Sequence, residues 1–530
     1  MQTIKQITVK VARYLLNNFI YLVLIVLFIK LSFLHFKLVV NSFPNEYREG
    51  AIILNTHLIV TGGNPYDLAN QPVYTNVYGI SYHLIVYPFA KLFGTTLPVH
   101  RAVSAFFVLA SCFVLFLAMR WIKVSLFLSL AATIIFYGHL LFFITPLARP
   151  DSLGLFLFLC SILIPWRYNF SLLSLIISIL FAILGFLTKP YFVLALPYLT
   201  FYIFMFKSKL EGIKYGILSS FFLLVTVIIL NNLFECYFNN TFFIHVNVAG
   251  SDGNYAIKQL LNYVKYNLGI ILILLWFVLN YIVTVLNLNI TEVNFKIIKS
   301  KLRLTFNLFN FNKPLIKLNI DLITFCFLVS LFLFYFKLGK HPGSYLVYIH
   351  HLISPFIIIL VSKLLKYKRK LNIMFLILIL INLFIISSSD FLPKPEYSLK
   401  EWNNISALIS RYQNILNSPA IVSILLEQGK TVYDSGQSEY FVFGGERKSF
   451  LEILGVQNEK VKKRNEQFLQ NVKKSVVLKE YDLIILTKGN SPFISEDLIK
   501  KYYQYQETIS APMPLTFENF ELDIWKPQGS

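Results

Sequence analysis

Apolar residues gather in runs of bilayer length, and the polar residues between them sit in short joints rich in lysine and arginine. A helix needs about 20 mostly apolar residues to cross the hydrocarbon of a bilayer. Read against that length, the chain predicts about eleven spans. They lie near Phe19–Phe36, Val99–Ala118, Val124–Phe143, Leu153–Pro165, Leu172–Leu187, Tyr191–Phe206, Ile217–Leu230, Leu268–Val285, Leu322–Phe336, Tyr345–Val361 and Ile373–Ile386. The fourth is short for a crossing.

The basic residues then orient the bundle. Lys5, Lys10 and Arg13 precede the first span, Arg120 and Lys123 follow the second, and Arg167 follows the fourth. Lys207, Lys209 and Lys214 follow the sixth, and Lys296, Lys299, Lys301, Arg303, Lys313 and Lys317 follow the eighth. Lys363, Lys366, Lys368, Arg369 and Lys370 follow the tenth. All of these joints fall on one side, and the excess of Lys and Arg makes that side cytoplasmic. The first apolar stretch runs from Tyr14 to about Val40 with no small-residue cleavage site after it. It therefore reads as an uncleaved signal anchor, in which Lys30 and Lys37 snorkel to the interface.

Three longer pieces are expected on the opposite side: residues 37–98, residues 230–265 and the C-terminal region. The first reads as two short interfacial helices joined at the turn Gly62-Gly63-Asn64-Pro65. After Pro393-Lys394-Pro395 the composition becomes mixed and polar. There Ser418–Gly429 and Glu496–Tyr505 read as helices, and Thr431–Asp434, Tyr481–Thr487 and Phe520–Trp525 as strands, which suggests a small α/β domain. The expected organisation is a transmembrane region over residues 1–390 and an extracytoplasmic α/β domain over residues 391–530.

Composition supports a membrane reading. Of 530 residues 56% are hydrophobic and only 14% charged, whereas a soluble domain carries roughly 25% charged residues. The net charge of +21 would suit nucleic acid, but its confinement to joints between spans argues for membrane orientation, and no nucleic-acid partner is expected. Cys112, Cys160, Cys236 and Cys326 form no paired motif, so neither a disulfide framework nor a zinc site is indicated.

The candidate chemistry collects at the non-cytoplasmic ends. Glu46 and Glu49 follow the first span and share a face if a helix starts at Asn45. Such a pair suits a general base beside an orienting partner, although acids in a first turn also complement a helix dipole. Gly63-Asn64-Pro65-Tyr66-Asp67 reads as a turn, and Tyr82-His83 lies further along the same loop. Arg101 opens the second span, Arg149-Pro150-Asp151 the fourth and Lys189-Pro190-Tyr191 the sixth, while His341, Tyr345, His350 and His351 lie near the tenth. Ionisable groups facing a bundle interior are costly and tend to be functional. A base with several cations suits the displacement of a phosphate leaving group. His350-His351 has no zinc spacing and reads as hydrogen-bonded packing.

Taken in order, these segments resemble those of bacterial GT-C fold glycosyltransferases, the superfamily of aminoarabinose transferases and protein O-mannosyltransferases. Pro44-Asn45-Glu46-Tyr47-Arg48-Glu49-Gly50 is similar to the acidic segment after the first span of that family. The turn from Gly63 to Asp67, Tyr87–Phe89, Arg101, Arg149-Pro150-Asp151, Leu187–Tyr191 and Gly343-Ser344-Tyr345 follow in the family's order. The resemblance covers about residues 1–390. It implies an inverting transfer of a sugar from a polyprenyl-phosphate donor to a glycan, lipid or protein acceptor. Glu46 or Glu49 would be the catalytic carboxylate, with Glu46 slightly favoured, although the family commonly has Asp there. Arg101, Arg149 and Lys189 would hold the lipid phosphate. Tyr66, Asp67, Tyr82, His83, Asp151, His341 and Tyr345 would contact substrate. The C-terminal region would cap the cavity or help select the acceptor. Some relatives need a divalent metal and others do not; no convincing DxD occurs, so no metal or other cofactor is expected. A bacterial inner membrane fits, with the N-terminus cytoplasmic and the active site outside.

Two other classes compete. A transporter or flippase would place its site near the midplane on broken helices, often with internal repeats. A polysaccharide polymerase or ligase of another membrane fold would share a lipid-linked substrate. The clustering at helix ends, the absence of a sequence repeat and the large appended region favour the transferase.

Overall fold

The computed structural model describes residues 2–142, 145–243, 252–289, 313, 320–340, 346–366, 373–388, 399–443, 459–490, 492–513 and 520–529. The helical part runs α1 (Gln2–Val40), α2 (Glu49–Val60), α3 (Ser81–Phe93), α4 (Leu97–Trp121), α5 (Leu126–Leu140), α6 (Asp151–Arg167) and α7 (Leu172–Phe186). It continues through α8 (Ala195–Phe206), α9 (Lys209–Leu233), α10 (Gly253–Tyr266), α11 (Leu268–Asn289), α12 (Leu322–Phe336), α13 (Ser354–Lys366) and α14 (Ile373–Ile386). Each predicted span falls on a helix. Among the described residues, five helical stretches qualify as crossings by length and apolarity, or six if Gly253–Tyr266 and Leu268–Asn280, bent by 94°, form one broken span. The other apolar helices, such as Leu126–Leu140 and Leu172–Phe186, are shorter. The sequence expectation of about eleven is therefore met in helices but not in helices of full spanning length. The lysine loop at 290–312 lies outside the described residues, as do His341, Tyr345 and the Pro393–Pro395 boundary.

Residue spacing explains which faces pair. On α4, Val108, Cys112, Leu115 and Met119 are buried, whereas Phe106, Leu109 and Phe113 are exposed; one stripe faces the bundle and the other faces outward. α6 is buried almost all round, with Leu155, Phe158, Leu159 and Ile162 in the main core. Gly154 lets it meet the next turn closely, since a Cβ there would lie 2.0 Å from the Phe192 ring. This central helix begins at Asp151, so its packing fixes the site carried at its N-terminal end.

The C-terminal region adds α15 (Leu399–Ser410), α16 (Val422–Glu427), α17 (Ser438–Phe443), α18 (Glu459–Val477) and α19 (Glu496–Tyr502) around one sheet. Its strands are β1 (Ile415–Leu416), β2 (Leu483–Thr487), β3 (Tyr503–Ala511) and β4 (Phe520–Pro527), in the order β1-β2-β4-β3. β1 and β2 run parallel, with Ile415 opposite Leu483. β4 is antiparallel to both β2 and β3, and the β3 register slips between Tyr505 and Glu507. One sheet face, with Leu483, Ile485, Leu522 and Ile524, shares its core with Phe43 from the loop after α1 and Leu54 of α2. The other face is covered by Val472 and Val476 of α18 and Ile499 of α19.

Four local expectations are corrected. Thr431–Asp434 is not a strand. Its backbone is served instead by the side chain of Asn417, which accepts from the N–H of Tyr433 (2.7 Å) and Asp434 (3.2 Å) and donates to the Asp434 carbonyl (2.7 Å). The helix expected to reach Tyr505 stops at Tyr502, and the chain continues as β3, an edge strand whose residues Gln504–Glu507 are exposed. That polar edge carries no apolar alternation for a sequence reading to find. The helix expected over Ser418–Gly429 is a short 3-10 turn, Pro419–Ile421, followed by α16, and it stops at Gly429 with φ +65°. Finally, α2 starts at Glu49 rather than Asn45, which leaves Glu46 in the preceding turn.

Candidate functional site

That late helix start separates the two carboxylates. Glu49, first in α2, turns back and accepts the N–H groups of Asn45 (2.8 Å) and Glu46 (3.4 Å) through Oε2, as acids near helix starts do. It also accepts the Ala148 N–H at 2.7 Å and two bonds from Arg101, Nε at 2.8 Å and Nη2 at 2.6 Å. Arg101 further donates to the carbonyls of Asn41 (2.7 Å) and Phe43 (3.0 Å). Both side chains have zero exposure. The pair ties α4 to the loop after α1 and, through Ala148, to the turn that carries Arg149. The structure thus places Arg101 with Glu49 and not in a common cluster with Arg149 and Lys189.

Glu46 points elsewhere. It accepts from Arg48 Nε at 2.5 Å through Oε1 and from the Arg48 N–H at 3.1 Å through Oε2, and Arg149 Nη1 lies 3.5 Å from that same Oε2. Arg149 Nε stands 3.5 Å from Asp151 Oδ2, and Lys189 Nζ is 2.9 Å from Asp151 Oδ1. Glu46, Arg48, Arg149, Asp151 and Lys189 therefore form one chain of charges, three cations against two carboxylates. The cluster is nearly dry: Arg149 is 2% exposed, and solvent reaches it mainly at Arg48 (16%) and Lys189 (13%).

Tyr78 is the hub beneath the cations. Arg149 and Lys189 lie over its ring at 5.2 and 5.3 Å, and its hydroxyl accepts from Arg149 Nη2. Such stacking holds a desolvated cation in place. Burial pushes the Tyr78 phenol up to about 12 against the pull of Arg149, so it remains a neutral hydroxyl. Burial likewise draws the Lys189 ammonium below the ordinary lysine range, with Asp151 working the other way. The loop reaches Lys189 because Gly79 and Ser81 donate to the carbonyls of Thr188 (3.1 Å) and Leu187 (3.0 Å). Only glycine fits at 79, where a Cβ would lie 1.9 Å from the Leu187 oxygen. Tyr191 lines the other side, 5.4 Å below Lys189, and its hydroxyl bonds His351 Nδ1 at 2.8 Å. His351 also bonds Thr145 at 2.9 Å.

The cluster is incomplete in its hydrogen bonding. Arg149 Nε and Nη1 and Asp151 Oδ2 are buried without a hydrogen-bond partner. Buried polar groups are rarely left so; here Arg149 Nε and Asp151 Oδ2 face each other at 3.5 Å as an ion pair without a hydrogen bond.

Of the remaining sequence candidates, Tyr66, Tyr82 and His83 are tied into hydrogen bonds around the cluster. Tyr66 donates to the Tyr78 carbonyl at 2.7 Å. His83 is held between Thr56 (2.8 Å) and Asn76 (3.0 Å), and Tyr82 bonds the His100 carbonyl and Ser104, both at 2.9 Å. Asp67 is exposed and closes its turn through Asn64 at 2.7 Å. His341 and Tyr345 lie outside the described residues. Sequence reasoning missed Arg48 and Tyr78 as members. Arg48 stood two residues from Glu46 in the same acidic segment, whereas Tyr78 had no signal beyond the neighbouring Gly79. Among the described residues no group of three or more His, Cys, Asp or Glu side chains is placed to hold a metal.

A bundle of apolar helices with a buried charge cluster at helix ends and an appended α/β region has the architecture of an integral membrane protein. Comparison with solved structures supports that fold. The chain matches the crystal structure of ArnT from Cupriavidus metallidurans bound to undecaprenyl phosphate over 97% of its own length and 98% of the other, at 10% identity and a TM-score of 0.51. The apo state of the same protein aligns over 94% and 97%, at 12% identity and a TM-score of 0.44. ArnT is an aminoarabinose transferase of GT-C fold. No family model and no curated protein matches the sequence. At such identity the likeness is one of fold, and it bears out the resemblance read from the sequence at that level.

Proposed function

We propose that this chain is an inverting glycosyltransferase that moves a sugar from a polyprenyl-phosphate carrier to a hydroxyl of a glycan, lipid or protein acceptor. The observation that carries the reading is buried Arg149, beside Lys189, with two N–H groups that make no hydrogen bond: Nη1 stands 3.5 Å from Glu46 and Nε 3.5 Å from Asp151. A phosphate oxygen would satisfy them with charge-assisted bonds. The undecaprenyl phosphate bound to ArnT, which shares the fold, supports the same ligand class here.

In this reading the acceptor oxygen attacks the anomeric carbon as its proton passes to Glu46, and the bond from that carbon to the phosphate oxygen breaks. The leaving polyprenyl phosphate gains one negative charge, which Arg149 and Lys189 neutralise where it develops. The reading gives that task to these side chains rather than to a metal. Arg48 holds Glu46, Asp151 holds Lys189 and faces the sugar, and Glu49 with Arg101 forms the strut beneath. The basic joints support a cytoplasmic N-terminus, a site on the far face of a bacterial inner membrane and a C-terminal α/β domain over residues 391–530 on the same face.

The test is binding of undecaprenyl phosphate to the purified protein in nanodiscs. Arg149→Gln and Lys189→Gln should each weaken it about 10- to 100-fold, the worth of a hydrogen bond to a charged group. Unchanged affinity in both variants would overturn the reading.

A further inference from the structure

The C-terminal region reaches the charge cluster through one short segment. After Asp434 the chain turns at Gly436, which has φ +82° and lies against Pro419 and Tyr47. The Asp434 carboxylate accepts the Gly436 N–H at 2.8 Å and so closes the turn. The turn delivers Gln437, fully buried, to the loop after α2, and Gln437 Oε1 accepts the Val77 N–H at 2.9 Å. Phe441, one turn further on α17, lies in the same apolar cluster as Val77 and Tyr78.

Val77 immediately precedes the hub residue. The strip around Tyr78 is held at three further points: Asn76 Oδ1 accepts the Tyr78 N–H (3.2 Å), Tyr66 donates to the Tyr78 carbonyl (2.7 Å) and Gly79 donates to Thr188 (3.1 Å). These three come from the loop itself or from the turn before Lys189. The bond to Gln437 spans 360 residues and ties that peptide to the C-terminal region. We infer that Gln437 is a positioning residue of the phosphate site, setting through the Val77 N–H where Tyr78 presents Arg149 and Lys189. This inference rests on the reading that those two cations hold the lipid phosphate. It makes the C-terminal region part of the donor site.

The experiment compares full-length variants in donor titrations. Gln437→Leu removes the acceptor at similar volume and should raise the KM for the lipid donor, and the Kd for undecaprenyl phosphate, about tenfold with a smaller change in kcat. Gln437→Glu keeps the acceptor oxygen and should stay within about threefold of the parent. Arg464→Ala is the docking control. Arg464 bonds the carbonyls of Gln71 (2.8 Å) and Ala69 (2.7 Å), joining the same two regions away from Tyr78, and its loss should leave donor affinity unchanged. If Gln437→Leu does not fold, Gln437→Ala takes its place. Parental affinity in the acceptor-free variant, an equal loss in Arg464→Ala, or failure of Gln437→Glu to rescue would each overturn the inference. Arg149→Gln and Lys189→Gln run alongside separate the two ideas: if both also bind undecaprenyl phosphate normally, the functional reading fails; if either is weakened while Gln437→Leu is not, only the positioning role fails.

Discussion

Glu46 and Glu49 are three residues apart, equally buried and each paired with an arginine, yet their surroundings differ in kind. Glu49 accepts five hydrogen bonds, and its arginine gives four, two of them to backbone carbonyls. Around Glu46 the partners are arranged more loosely: Arg149 approaches at 3.5 Å without a hydrogen bond, and donors and an acceptor nearby remain open. The first arrangement has the character of a rivet, because removing either half would strand a buried charge. The second has the character of a socket. Saturation, rather than burial or charge, separates a structural ion pair from a site.

Substitution at the two carboxylates breaks this comparison most directly. Glu46→Gln should leave the protein folded and lower sugar transfer by roughly 10²- to 10⁴-fold, the usual worth of a positioned base, measured as turnover with a polyprenyl-phosphate sugar donor. Parental turnover would remove Glu46 as the base. Arg101→Leu should act through stability instead. It leaves Glu49 buried without its cation, a loss of roughly 3–5 kcal/mol, read as a lower midpoint of thermal unfolding in detergent. A stable Arg101→Leu protein that had lost only donor affinity would reverse the assignment and return Arg101 to the phosphate.

Much of this contrast was hidden in the sequence for a physical reason. Bilayer-length apolar runs are written locally, so every span was found as a helix, and the shared sidedness of Glu46, Arg149, Asp151 and Lys189 followed from the joints between them. What a span pattern does not encode is which acid meets which base. Had α2 begun at Asn45, Glu46 and Glu49 would have shared a face; beginning at Glu49, it sends them apart. Tyr78 was invisible because its place under two cations arises from pairing between Gly79 and Thr188, distant in sequence. β3 escaped for a related reason, since an exposed edge held by backbone bonds needs no apolar alternation.

A buried carboxylate away from the cluster, Asp434 at the turn before α17, extends the comparison. Its Oδ1 accepts one backbone N–H, from Gly436, at 2.8 Å. Burial pushes it from 3.8 up to about 7, with the Gly436 N–H pulling down and Glu439 pushing up. The folded state then holds this proton more tightly than the unfolded chain does. Its contribution to stability is complete below about pH 4 and is lost as pH rises toward 7, because the unfolded chain ionises first. Asp434→Asn keeps an oxygen for Gly436 and has no proton to lose. The variant and the parent should melt alike near pH 4, and the variant should gain roughly a few degrees by pH 7 and hold that gain above it. Tryptophan fluorescence can follow this melt, since Trp402 and Trp525 lie in the cores flanking the sheet. A difference that is constant across pH would mean that Asp434 is ionised in the folded state rather than kept neutral by burial.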